Sequence, residues 1–148
     1  MRLRAGTRHD ASAIADVFFS ARRTMTYLPP DEEGARHFFI TVAPDLYEYR
    51  LAETDGKVVG FAALNPGDDF LHHLYVNPEY HGRGIGSALL RWAIDRRPDG
   101  LQLWCFQANA KARHFYERHG FVNVEETDGA GNMEKTPDVR YERRPRSG

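Results

Sequence analysis

The sequence predicts a mixed α/β domain, with antiparallel strands first and a parallel β-α-β step in the middle. Four segments repeat apolar residues at helical spacing, between short runs with strand composition. Asp55-Gly56 separates two strand-like runs, a strong hairpin signal. A third run, "FLHHLYV", leads through "HGRGIGSALL" directly into a helix, as strand-loop-helix units do.

"RLRAGT" opens the chain as a strand. Ile14, Val17, Phe18 and Ala21 then share a helix face, with Asp10 as N-cap. Pro29 and Pro30 end that helix, and a second starts near Asp31 with Ala35, Phe38, Phe39 and Val42 inward. "TMTYLPP" between them is an apolar linker over the sheet or a cleft. "LYEYRLAE", "VVGFAALN" and "FLHHLYV" are three strands in succession. A helix over 86–96 buries Ile85, Leu89, Ala93 and Ile94 and stops at Pro98 and Gly100. "LQLWCF" is a strand, and Asn109 caps a helix that Gly120 ends. "FVNVEET" and "VRYERR" close the sheet across the turn-rich "DGAGN".

At 148 residues the chain predicts one domain spanning 1–148, with 144–148 a short basic tail. A net charge of −1 gives no field to draw nucleic acid or an anionic membrane, so neither is an expected partner. No apolar run approaches the ~20 residues of a membrane span, and no signal peptide opens the chain, so the expected location is cytoplasmic. Cys105, the sole cysteine, lies in an apolar run and reads as a small buried hydrophobe. His114 and His119 are five apart and share no helix face, so no metal is expected.

Three glycines at a helix entrance need a reason, since each costs about 1 kcal/mol in a helix. A strand running through glycines into a helix N-terminus is an anion site, with free amides and the positive end of the dipole. The alternative is a tight turn without ligand. The Walker pattern is missing its Lys-Ser/Thr. The dinucleotide pattern fails as well, with Ser87 or Leu89 at its third glycine position.

"LYVNPEYHGRGIGSALL" resembles the coenzyme A signature Q/R-x-x-G-x-G/A of the GCN5-related N-acetyltransferase (GNAT) family, spanning His81 to Gly86. His81 departs from it, standing where the family has Gln or Arg. "NAKARHFYERHGF" resembles the second signature through Asn109, Ala112, Phe115, Tyr116, Gly120 and Phe121. The resemblance implies a sheet of six or seven strands with a splayed parallel pair, flanked by about four helices. It implies an acetyl-CoA-dependent N-acetyltransferase, with acetyl-CoA or CoA as cosubstrate. Leu74, Tyr75 and Val76 would bond the pantetheine arm, and His81, Gly82, Arg83, Gly84, Ile85, Gly86 and Ser87 the pyrophosphate. Asn109 would touch the coenzyme from the opposite wall, besides capping its helix.

Tyr116 matches the tyrosine that in many members protonates the departing thiolate. His72 and His73 are the candidate bases, and strand alternation would send them to opposite faces. "LHHLYV" resembles the "LHxLxV" strand of serotonin N-acetyltransferase, which favours His72, although a bulge would change the faces. For the acceptor, Tyr27 and Leu28, beside Met25, offer an apolar wall, and Glu125 an attraction for an ammonium group. The expected acceptor is a small-molecule amine. The alternatives are a lysine or N-terminal acetyltransferase acting on proteins and a CoA-binding sensor without transfer activity. A homodimer is also expected, since relatives often form one.

Overall fold

The computed structural model describes residues 1–28 and 32–145. Strand β1 (Arg2–Ala5) is followed by α1 (Ala11–Arg22). Helix α2 (Glu32–His37) runs through a π-helical turn (Phe38–Val42) into the short α3 (Ala43–Leu46). Strands β2 (Glu48–Thr54), β3 (Lys57–Leu64) and β4 (Leu71–Val76) come next, then α4 (Ile85–Arg96) and β5 (Leu101–Phe106). Helix α5 (Ala110–Arg118) and strands β6 (Val122–Thr127) and β7 (Asp138–Arg143) complete the fold.

The strands form two antiparallel sheets, ordered β1-β2-β3-β4 and β5-β7-β6. They touch through one parallel bridge, Phe70 with Gln102, where the Gln102 N–H donates to the Asp69 carbonyl at 2.8 Å. The parallel step expected from the sequence is therefore a single contact, beyond which β4 and β5 diverge. That divergence opens the cleft.

Helix α1 packs on one face, burying Ile14, Val17, Phe18 and Phe19 against Leu51, Phe61 and Ala63. Helix α4 packs on the other, where Ile85, Leu89, Leu90 and Ala93 meet Ala62, Leu64, Leu101 and Leu103. Ile94, expected in that core, is only partly buried.

Two local expectations change. Asp10 precedes α1, but its carboxylate takes the Thr7 N–H at 2.8 Å and pairs with Arg4 rather than capping the helix. Arg4 also pairs with Glu53, so β1, β2 and the entry to α1 are tied together. Val42 is exposed at 41% while Phe39 is buried, because the π turn inserts a residue and rotates its own end off the apolar face. Pro29, Pro30 and Asp31, read as the break and helix start, lie outside the described residues.

Candidate active site

The cleft between β4 and β5 has a volume of about 820 Å³. One wall is β4, from Leu71 to Val76, continuing into the loop before α4. The other is Leu103 to Phe106 of β5 with Asn109, Ala112, Phe115 and Tyr116 beyond it. Ala21, Thr24 and Met25 from the end of α1 reach its edge.

The glycine loop is built as an anion cradle. Gly82 and Gly84 have φ of +80° and +79°, a left-handed conformation that side chains resist. Gly84 is the N-cap of α4 and makes no side-chain cap. Among the described residues, the N–H groups of Gly82, Arg83, Gly84, Ile85, Gly86 and Ser87 enter no hydrogen bond. At Gly86 a Cβ would meet the Phe115 ring at 3.5 Å, an ordinary packing distance.

His81 holds this loop. Its Nε2 lies 3.1 Å from the Val76 carbonyl, which can only accept, so the proton sits on Nε2. Lys111 Nζ lies 3.5 Å from Nδ1, linking the loop to α5. The Arg83 guanidinium lies over the ring of Tyr80, a cleft-lining residue, at 4.9 Å. Lys111 and Arg118 give the α5 side a cationic rim.

The histidines are arranged by a bulge in β4. Ala63 pairs with His73 and Leu64 with Leu71, leaving His72 without a partner on β3. Both rings consequently lie against Tyr47, with centroids 5.2 and 5.3 Å away, instead of on opposite faces as alternation predicts. They differ in surroundings. His73 is packed among Phe18, Phe38, Phe39 and Phe61, and its buried Nδ1 has no partner. Burial, then the neighbouring His72 and Arg22, push its pKa down to about 3, so it is neutral at pH 7.

His72 Nε2 lies 2.9 Å from Asp68 Oδ2. An ionised carboxylate only accepts, so Nε2 carries the hydrogen and Nδ1 keeps a lone pair. Asp68 is itself fixed: its Oδ1 accepts the Phe70 N–H at 2.9 Å, and Arg97 Nε donates to its carbonyl at 3.0 Å. Sequence reasoning missed Asp68, although its place in "NPGDD", four residues before His72, was the available signal.

Tyr116 stands on the opposite wall, edge-on to Phe121 at 5.8 Å, and its hydroxyl has no hydrogen bond among the described residues. Burial, with Cys105 and Tyr75 nearby, raises its pKa well above the usual phenol value, so it stays protonated. Cys105 also lines the cleft, but burial pushes its thiol up to about 12, which leaves it a poor nucleophile. Asn109 Oδ1 caps α5 by accepting the Ala112 N–H at 3.1 Å, and the residue lines the cleft.

The acceptor residues read from the sequence are scattered. Tyr27 packs edge-on against Phe106 at 6.0 Å, and Leu28 is buried. Glu125 is exposed on β6 and pairs with Arg140 at 2.9 Å. None of the three lines the cleft, whereas Met25 does. The β6–β7 turn is knotted internally: Asp138 accepts from Thr127 and from Asn132 Nδ2, and Asn132 Nδ2 also reaches the Thr136 carbonyl at 2.7 Å. The described residues include no group of three or more His, Cys, Asp or Glu placed to hold a metal, and no helix long and apolar enough to cross a membrane.

A sheet opened between two strands, a helix entrance of unused amides and a tyrosine across from paired histidines define the N-acetyltransferase class. The family model "Acetyltransferase (GNAT) family" matches residues 14–121. The chain belongs to the GNAT acetyltransferase family and is an N-acetyltransferase. An uncharacterized N-acetyltransferase of Methanocaldococcus jannaschii is 30% identical over 90% of this chain and 66% of its own length, so the chain spans just under two thirds of that relative. An uncharacterized N-acetyltransferase of Mycobacterium tuberculosis is 33% identical over 76% of this chain and 83% of its own. The peptidyl-lysine N-acetyltransferase YiaC of Escherichia coli is 41% identical, over 49% of each chain. Among solved structures, apo YjaB of Escherichia coli superposes with a TM-score of 0.79 at 20% identity, covering 98% of both chains. A PaiA N-acetyltransferase of Thermoplasma acidophilum in complex with coenzyme A gives 0.74 at 20% identity, covering 97% of this chain and 99% of that one.

Proposed function

We propose that this N-acetyltransferase uses acetyl-CoA and passes the acetyl group directly to the amine of a small molecule. The observation that carries this is the run of six unused amides from Gly82 to Ser87 at the mouth of a cleft of about 820 Å³. Free N–H groups at a helix start suit a diphosphate. Lys111 and Arg118 add positive charge on the same rim. The outer edge of β4, which no other described strand pairs along Leu74, Tyr75 and Val76, offers backbone groups to an extended amide-bearing arm, apart from the Val76 carbonyl that His81 holds. Acetyl-CoA supplies the activated acetyl group; the residues do the rest.

A primary amine has a pKa near ~10.4, so only about one in a thousand is neutral at pH 7. His72 takes the proton at Nδ1, directly or through a water, while Asp68 holds Nε2–H and stabilises the charged ring. His73, with its pKa near 3, accepts a proton poorly and serves as a neutral wall. Tyr116 donates to the departing thiolate from the other side. Because Cys105 stays protonated, direct transfer is favoured over an acetyl-cysteine intermediate.

Thiol release from acetyl-CoA, measured across small amines, lysyl peptides and protein N-termini, tests the assignment. Amine-dependent release greatest with small amines is expected. Coenzyme binding without release to any acceptor would instead make the protein a coenzyme sensor, and release only with peptides a protein acetyltransferase.

A further inference from the structure

Trp104 is 45% exposed on β5, directly beside the cleft, and no step of the proposed transfer uses it. A large indole left half in water next to a reaction centre asks for an occupant. With Phe70, Leu71 and His72 it lines a second cavity of about 260 Å³. Leu71, His72 and Trp104 belong to both cavities, so the smaller one adjoins the cleft at the bulge.

We infer that this side cavity is the acceptor subsite, and that it takes a primary amine carried on a compact apolar or aromatic body. This rests on the acetyltransferase reading of the cleft. The lining is three rings and a leucine, suited to a flat apolar group and poor for a polar chain. An apolar protein cavity of about 150 Å³ admits benzene, so this one has room for a ring and a short alkyl arm. The single bridge between Phe70 and Gln102 closes the sheet at this end, which stops the body from sliding between the strands.

Orientation follows from charge. An ammonium end is drawn toward the Asp68 carboxylate, held 2.9 Å from the His72 ring, with the aromatic side chains of Phe70 and Trp104 beside it. The amine then stands at His72, where its proton leaves, while its body fills the space between Phe70 and Trp104. Asp69 is engaged by Gln102 Nε2 at 3.1 Å and does not compete for it.

The test compares 2-phenylethylamine, spermidine and an Ala-Lys-Ala peptide as acceptors for wild type, Trp104→Ala and Trp104→Phe. The expected result is a KM for 2-phenylethylamine at least about tenfold below those of the other two. Trp104→Ala should raise that KM about tenfold with the KM for acetyl-CoA unchanged, and Trp104→Phe should restore most of the loss. Because Trp104 is half exposed, its truncation spares the core. Preference for spermidine or the peptide, or indifference to Trp104→Ala, would overturn the inference while leaving the transferase intact. If no amine releases thiol, the acetyltransferase reading fails. The subsite is then judged by the Trp104 indole NMR signal with coenzyme A present: a shift on adding 2-phenylethylamine supports it, and a still signal overturns it.

Discussion

His81, the residue in the loop signature that departs from the family pattern, bonds the end of β4 through Nε2–H and meets Lys111 through Nδ1. A glutamine can donate to the same carbonyl; alanine cannot. His81→Ala should therefore raise the KM for acetyl-CoA about five- to tenfold, and His81→Gln less than threefold, with kcat little changed in both. Tyr116→Phe removes the donor without emptying its packing site, and kcat should fall about 10²-fold in steady-state assays. Asp68→Asn replaces the acceptor that steadies the charged His72 ring. Without that charge the ring is less able to hold the substrate's proton during transfer, so kcat should fall about tenfold in steady-state assays with the KM for acetyl-CoA little changed, and an unchanged kcat would remove Asp68 from the reaction. The sequence made the loop and Tyr116 legible, because glycine conformation and a long motif are local. It did not reveal the Asp68–His72 pair, which depends on how one turn folds back. Tyr27, Leu28 and Glu125 stand out in the sequence for their chemistry, yet packing and an ion pair with Arg140 occupy them.

At the scale of elements, the start of α4 and the bulge of β4 do most to shape the site. Gly84 needs its left-handed φ, and a Cβ there would meet nothing within 4 Å, so alanine's cost is purely conformational. Gly84→Ala should cost about 1 kcal/mol, lowering Tm by about 3 °C and raising the KM for acetyl-CoA as the amides turn away. Gly86→Ala, at ordinary contact distance from Phe115, should leave Tm within about 2 °C of wild type by the same thermal scan. Helices and strands were mostly readable from periodicity: Ile14, Val17 and Phe18 of α1 and Leu89 of α4 are buried as their spacing predicts. Two of the exceptions share one cause, an inserted residue. The π turn swings Val42 outward, and the β4 bulge puts His72 and His73 against the same tyrosine. Neither insertion alters hydrophobic spacing enough to show in the sequence.

For the whole molecule, two sheets that share a single bridge give up hydrogen bonding along β4 and β5 in exchange for a cleft. The side walls carry a cost as well. His73 binds a proton in the unfolded chain near pH 6.5 but only near 3 when folded. Between those values the unfolded state holds more protons, so stability falls as pH drops from about 6.5 toward 3. His73→Phe removes that contribution, and urea titrations at pH 7 and pH 4.5 should show a smaller loss for the variant than for wild type, by about 1–3 kcal/mol. The splay itself was foreshadowed only by the family resemblance, since no local pattern says that two neighbouring strands will part. The most direct measurement is a crystal structure with coenzyme A. The diphosphate is expected within about 3 Å of amides between Gly82 and Ser87, with the sulfur between β4 and β5 beside the Tyr116 hydroxyl. A coenzyme seated elsewhere, or one whose sulfur points away from Tyr116 and His72, would contradict the account.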